Sequence, residues 1–400
     1  MRIVVTGMGV ISPIGSTVAE FWKSVCDGTC GIRDITRFGT KDFPFTRAGE
    51  ITNFALPAQL PASANTSDLA TQFMMAAALQ AVEDARLASL DETGVVLSTN
   101  FGGVRAAEDF IACTLGGAGD RRGTFGELSF QNCADRVADL WNFRGPRAAL
   151  SLSCSSGGAA IGYAVDLIRA RRAPAVLTGG YDALSRFAWS GLSVLRTMSK
   201  EAVRPFDRNR DGTIFSEGAG ALVIEELEQA RQRGATIYAE VIGHGLNNNA
   251  YHMTAPAKEG AGSAAVMRMA LADGAVPPTG VDHINAHGTG TKPNDVTETQ
   301  ALKAVFGDHA RHMPITSIKS SLGHMMGAAG SVEAIASILT IRDGVIPPTT
   351  NFRDADPECD LDYVTNTKRE MKIRTVLSNS AGIGGCNAAV IFRAMEDGVS

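Results

Sequence analysis

The chain has 400 residues, 44% of them hydrophobic, enough for a large core and two domain-sized units. Its 37 basic and 42 acidic residues leave a formal charge of −5, which gives no footprint for nucleic acid. The seven cysteines include no CxxC and no zinc spacing; an odd, scattered set fits a reducing compartment, and no apolar run reaches the length of a membrane span.

In chain order, residues 2–6 form a β-branched run read as a buried strand, with Gly7-Met8-Gly9 as a tight turn after it. This beginning is a strand and turn rather than a signal peptide, so the cytoplasm is expected. Residues 16–26 read as a helix capped by Ser16 or Thr17, and 32–61 as mostly loop. A long amphipathic helix is predicted over 68–88, then a buried strand over 93–98 with an Asn-Phe-Gly-Gly loop at Asn100. Residues 116–126 are glycine-rich and carry Arg121 and Arg122, as an exposed loop would. A buried strand over 148–152 and a helix over 157–170 flank Cys154, and 175–180 is another strand. A polar loop over 204–220, a strand over 221–225 and a helix over 227–233 follow.

A second cycle then begins. Strands are expected at 237–243, 282–286, 314–318, 375–380 and 388–392, with helices at 261–273, 296–306 and 328–342. Alternating strands and helices indicate an α/β protein. The cycles match: the strand, Cys154 and its helix correspond to the strand, the Lys319–Gly330 loop and its helix, and 171–176 to 342–346. The loop at Asn100 pairs with that at His287. We therefore expect two similar α/β halves, 1–236 carrying the cysteine and 237–400, with a site at the strand ends where they meet.

Cys154 is placed for chemistry. On a strand-to-helix turn its thiol faces the unpaired N–H groups of the helix start, and the helix dipole should lower its pKa. A lone cysteine is more often a packing residue, and a lone histidine more often a satisfied polar group. Three further stretches change that balance: Asn285-Ala-His-Gly-Thr-Gly-Thr, Ser317-Ile-Lys-Ser-Ser-Leu-Gly-His, and Ser378-Asn-Ser-Ala-Gly-Ile-Gly-Gly-Cys-Asn. They bring His287, Lys319, His324 and a glycine turn to strand-end loops, where α/β proteins build their sites.

These stretches, with Val-Thr-Gly-Met-Gly-Val at Val5, Arg-Pro-Phe-Asp at Phe206, Ser-Glu-Gly-Ala-Gly at Glu217 and Ala-Tyr-His-Met-Thr at His252, make the chain resemble the elongating, Cys-His-His β-ketoacyl-acyl-carrier-protein synthases. The resemblance covers essentially the whole chain. It implies the thiolase fold, two similar halves in a layered αβαβα structure, and a decarboxylating Claisen condensation. Cys154 would carry the acyl group as a thioester. His287 and His324 would donate to the malonyl thioester oxygen as enolate charge develops. Lys319 would polarise the site through Glu333, with Asp295 and Glu298 as further supporting acids. The oxyanion hole would be the N–H groups of Cys154 and Ile383, and Thr289 and Thr291 would bind the phosphopantetheine arm. No free cofactor or catalytic metal is implied, but a structural monovalent cation among Asn285, Glu333, Ser378 and Asn379 is. An acyl carrier protein is the implied partner, with a homodimer or a heterodimer with a similar chain, and neither nucleic acid nor membrane.

Departures are visible. The family's Gly-Phe-Gly-Gly gate reads Gly-Ile-Gly-Gly, with Ile383 for the gate Phe and Ala381 smaller than the usual Phe. The acyl pocket should be wider there. No Lys or Arg lies between Arg47 and Arg86, where such synthases meet an acidic carrier; Arg121, Arg122, Lys200 and Arg204 remain as docking charges. This suggests a specialised carrier, in a secondary-metabolite or polyene pathway, as readily as drift within fatty-acid synthesis. A thiolase would use a second cysteine near Cys386, an initiating synthase would have Asn at His324, and a chain-length subunit would lack Cys154.

Overall fold

The computed structural model describes residues 1–87, 91–116 and 126–395. The first half runs β1 (Ile3–Ile11), α1 (Val18–Cys26), a ribbon of β2 (Arg33–Asp34) and β3 (Arg47–Ala48), α2 (Leu69–Ala85), β4 (Gly94–Ser98), α3 (Val104–Leu115), α4 (Phe130–Leu140), β5 (Arg147–Leu150), α5 (Ser156–Arg169), β6 (Ala175–Asp182), α6 (Arg186–Val194), β7 (Gly218–Glu226) and α7 (Leu227–Gln232). The second runs β8 (Ala239–Asn248), α8 (Ala261–Asp273), β9 (His283–Asn285), α9 (Lys292–Phe306), β10 (Ile315–Thr316), α10 (Lys319–Leu322), α11 (Ala329–Asp343), a ribbon of β11 (Val345–Ile346) and β12 (Arg369–Glu370), β13 (Thr375–Ala381) and β14 (Cys386–Arg393).

The strand order is β10-β9-β13-β14-β8-β1-β7-β6-β4-β5. Read outward from the β8–β1 junction, the two sides repeat each other: two antiparallel pairings, then two parallel ones. The junction is short, Val4 opposite Glu240 and Val5 opposite Ala239. Helices α5 and α11 pack on each other and each touches strands of both sides, whereas α2 lies on β1 and β7 and α8 on β8 and β14. The layers are therefore αβαβα, with α5 and α11 in the middle. Among the described residues no helix is long and apolar enough to cross a membrane.

The glycines of the first strand do something other than turn the chain. β1 continues through Gly7-Met8-Gly9 to Ile11, buried at every residue. A Cβ on Gly7 would lie 2.1 Å from Ala81 O and one on Gly9 1.9 Å from Ala77 O, so these positions let α2 approach backbone to backbone. Gly243 and Gly245 do the same for α8, whose Ala270 O and Val266 O would be 2.4 and 2.6 Å from a Cβ. Consistent with this, α2 is not amphipathic: it is buried on nearly all sides.

Other expectations need revising. The strand before Cys154 is the outermost in the order and half-exposed, not buried. The polar stretch 204–220 is largely internal; Phe206 stacks on Tyr363 with centroids 4.0 Å apart, and Arg210 pairs with Asp356. Helices α3, α4 and α6 fall where no helix was expected. The counterpart of β6 is β13, not the 342–346 stretch, because the β11–β12 ribbon is inserted between α11 and β13.

Candidate active site

The loop between β5 and α5 is folded tightly by its own serines. Ser153 takes a left-handed conformation (φ 51°), sparsely populated for a non-glycine residue. Ser155 Oγ donates to Leu152 O (2.7 Å), and Ser156 Oγ accepts from Leu152 N (2.8 Å) and lies 2.6 Å from Ser153 O. Cys154 is thereby fixed at the head of α5, 7% exposed. The N–H groups of Ile383 and of Cys154 itself both face the sulfur. Burial nonetheless pushes the thiol up to about 11, outweighing those N–H groups and the Lys319 ammonium. The expectation of a lowered thiol pKa is corrected: the resting group is a thiol, because removing water from sulfur outweighs the helix start.

The second half supplies the partners. His287 follows β9, and its own N–H and that of Gly288 donate to the Glu298 carboxylate on α9 (2.7 and 2.8 Å). Asn379 Nδ2 on β13 donates to the same carboxylate (2.7 Å), so Glu298 ties two strand ends together. His324 lies beyond α10; its Nδ1 accepts from Met326 N–H (3.2 Å), which leaves the ring proton on Nε2. The imidazoles meet edge to face, 5.4 Å between centroids, and Phe215 stacks on His324 at 5.5 Å. The Cys154, His287 and His324 donor atoms lie within 4.8 Å of one another. Lys319 is buried and ion-paired with Glu333. Burial, reinforced by Lys319, pushes both histidines well below 6.5, so both rings are neutral N–H donors. Glu333 is pushed up by burial and pulled down by Lys319.

Cys154, His287 and His324 line a cavity of about 290 Å³. Thr289, Thr291, Ala381 and Ile383 line it, as does Thr254 at the end of the Ala-Tyr-His-Met-Thr motif, together with Leu195 and residues 255–257, which the sequence did not single out. The Thr289 and Thr291 hydroxyls are 2.9 Å apart. No Lys, Arg, Asp or Glu is among the lining residues. Three such donor atoms could also close on zinc, but two amide N–H groups aimed at the sulfur and an ammonium beside both histidines favour developing negative charge.

Other residues named from the sequence fall further out. Asp295 is fully buried, accepts from Phe206 N (2.8 Å) and lies 3.7 Å from Arg210 Nε; burial raises it to about 6. Asn285 Oδ1, Glu333 Oε2 and Asn379 Oδ1 are buried with no hydrogen-bond partner, and Ser378 is in register with Asn285. Cys386 is not in the cavity; its sulfur lies 3.2 Å from Asn248 Nδ2. Arg204 is only 8% exposed and bonded to Glu201, so it offers little free charge, whereas Lys200 is exposed. Arg121 and Arg122 lie outside the described residues.

The chain matches the family models "Beta-ketoacyl synthase, N-terminal domain" over residues 1–230 and "Beta-ketoacyl synthase, C-terminal domain" over 238–353. It is 39% identical to a "3-oxoacyl-[acyl-carrier-protein] synthase 2" of Coxiella burnetii over 99% of both chains, and equally so to one of Staphylococcus aureus. Among solved structures, "The ishigamide ketosynthase/chain length factor" superposes with a TM-score of 0.93 at 37% identity over 99% of both chains. A type II polyketide acyl-carrier protein in complex with its ketosynthase superposes at 0.90 and 32%, again over 99% of both. Five layers, a cysteine at the head of a central helix and full-length matches of this kind lead to one conclusion: the chain belongs to the β-ketoacyl synthase family.

Proposed function

We propose that this protein is a β-ketoacyl-acyl-carrier-protein synthase that extends a Cys154-bound acyl group by two carbons. The observation that carries the assignment is the Cys154–His287–His324 triangle, within 4.8 Å in the wall of a cavity with no Lys, Arg, Asp or Glu among its described lining residues. In the first step Cys154 Sγ attacks the acyl thioester of a carrier protein. The oxyanion is met by the N–H groups of Cys154 and Ile383. The carrier's phosphopantetheine sulfur leaves and takes up the proton that Cys154 gives up, one of the neutral imidazoles passing it on. In the second step malonyl-carrier protein binds by the same arm, between Thr289 and Thr291. His287 and His324 donate to its thioester oxygen, the C–C bond to the carboxylate breaks, and carbon dioxide departs. The enolate carbon attacks the Cys154 thioester. A 3-oxoacyl chain leaves on the carrier, and the expelled thiolate takes up a proton.

The supporting roles follow from the contacts. Glu298 holds the His287 backbone, and burial together with the Lys319 ammonium, itself held by Glu333, keeps both imidazoles neutral. The three unpartnered oxygens of Asn285, Glu333 and Asn379 suit a hard monovalent cation, which these residues and Ser378 would hold and which would offset the Glu333 charge. We take 1–236 as the half supplying the nucleophile and 237–400 as the half supplying the histidines, in a cytoplasmic enzyme. Its partners are an acyl carrier protein and a second ketosynthase chain, identical or similar; the carrier complex and the chain-length-factor structure support this. Lys200, and Arg121 with Arg122, are the docking charges we assign to the carrier. A thiolase is disfavoured because the Cys386 sulfur turns to Asn248.

Intact-protein mass spectrometry after mixing with a panel of acyl-carrier proteins tests the assignment. The native chain should gain an acyl mass that malonyl-carrier protein discharges, and Cys154→Ala should gain none. Adduct on the alanine variant, or none on either chain with its partner subunit present, would overturn it.

A further inference from the structure

Asp182 ends β6 and is fully buried, yet no basic group pairs with it among the described residues. Its carboxylate is instead filled by donors from two directions. From the loop after β4, Thr99 Oγ1 (2.7 Å) and Phe101 N (2.9 Å) donate to Oδ1, and Asn100 N lies 3.2 Å from Oδ1 and 3.0 Å from Oδ2. From the His324 loop, Gly327 N donates to Oδ2 (2.7 Å). The two loops touch backbone to backbone: a Cβ on Gly327 would lie 2.8 Å from both Asn100 N and Asp182 Oδ2.

Each arm leads to a reacting group. Asn100 Oδ1 is 3.3 Å from Ser156 Oγ, the hydroxyl that holds Leu152 and the left-handed Ser153 beside Cys154. Gly327 follows Met326, itself left-handed (φ 53°), whose N–H fixes the His324 ring through Nδ1. The carboxylate thus stands between the nucleophile of one half and a histidine of the other, without touching either.

We propose that Asp182 is a positioning residue that sets the His324 ring against Cys154 by tying the Gly327 and Asn100 loops to one buried carboxylate; this rests on the condensing function above. An amide in its place has one acceptor oxygen and one NH2. The oxygen belongs on the side of Thr99 and Phe101, where more donors converge. The NH2 then faces Gly327 N–H, donor against donor, and the His324 loop is released while the Cys154 turn stays held. Decarboxylation needs both histidines, whereas acyl loading needs Cys154, its two amides and a single imidazole to pass the proton, a task left to His287 because His324 Nδ1 is held by Met326 N–H.

The test uses the full chain and three readouts: acyl loading by intact mass, release of carbon dioxide from malonyl-carrier protein, and ring ¹⁵N–¹H correlations of the histidines, assigned with His324→Gln. Asp182→Asn should load at close to the native rate, release carbon dioxide about ten-fold or more slowly, and lose the single Nε2–H tautomer of His324. Ser156→Ala should do the reverse, altering Cys154 alkylation by iodoacetamide while leaving the His324 signals in place. If Asp182→Asn fails to fold, Asp182→Glu, which keeps both oxygens and displaces them by a methylene, should show the same split in smaller measure. Equal losses of loading and decarboxylation, or native His324 signals in the folded variant, would overturn the proposal. A native chain that neither loads nor decarboxylates would refute the condensing function instead, and the ring signals would still decide the role of Asp182.

Discussion

The backbone and the side chain of Ile383 serve different ends. Its N–H faces the Cys154 sulfur, and any residue could supply that; its side chain lines the cavity and sets the local width. Ile383→Phe keeps the amide and fills space beside Ala381, so loading of the bulkiest accepted acyl donor should slow about ten-fold while short donors are unaffected. Loading rates across a graded acyl panel check this, and unchanged selectivity would show that the pocket is bounded elsewhere. His324 carries a second prediction. Burial and the Lys319 ammonium depress its pKa, so its charged form is disfavoured in the folded protein. The sign is that of a group neutral well below 6.5: acid protonates the ring only far from neutrality, and that is where its donor geometry would be lost. The His324 ring ¹⁵N–¹H signals from about pH 8 to about pH 5.5 should therefore show no titration centred near 6.5, where a free histidine would give one. The rate itself also carries Glu333, which burial pushes up to about 7. At this scale the sequence was legible for identity and misleading for ionisation. Cys154, His287, Lys319 and His324 were singled out because each sits beside small residues at a strand end, and the fold brings the first, second and fourth within 4.8 Å of one another. The rise in the Cys154 pKa was missed because burial depends on every residue around the sulfur, and Asp182 because its partners come from loops more than 80 and 140 residues away.

Elements were read well where the cause was local and poorly where it was tertiary. α8 has the bounds expected from its periodicity, and α1 begins after the Thr17 cap, whose side chain accepts from Glu20 N. β1 was cut short because Gly7 and Gly9 look like turn residues along the chain, while the physical demand for glycine comes from the α2 carbonyls across it. The same demand at Gly243 and Gly245, which meet the α8 carbonyls as Gly7 and Gly9 meet those of α2, was not recognised as part of the repeat. α3 buries only Ala106, while α4 does carry an apolar stripe at helical spacing, Cys133, Ala134, Val137 and Ala138, a signal the sequence reading passed over. The 204–220 stretch reads from its Arg and Asp content as a polar loop. Arg208 and Asp211 are exposed, but Arg204, Asp207, Arg210 and Glu217 are buried, where ion pairs and backbone donors satisfy them, as the Arg210–Asp356 pair and the bond from Asp354 N to Asp207 show.

Across the molecule, the two sides share little strand pairing. β1 and β8 meet over two residue pairs, and most of what binds the sides is the middle layer, where α5 and α11 are each covered by strands of both. The reacting groups follow that layer: the sulfur precedes α5, and His324 and Lys319 precede α11. Among the described residues, α5 and α11 each pack on strands of their own side as well as the other, so the apolar inner surface forms one core shared by both. The protein is in this sense already a complex of two pieces joined by a tether, and the tether is expendable. Gly234 lies in an exposed turn with open space around it. A chain severed there should give fragments that stay incompletely folded when expressed singly and regain acyl loading when expressed together. Fragments that fold independently, seen by circular dichroism and gel filtration, would show that the shared helices are not what unites them.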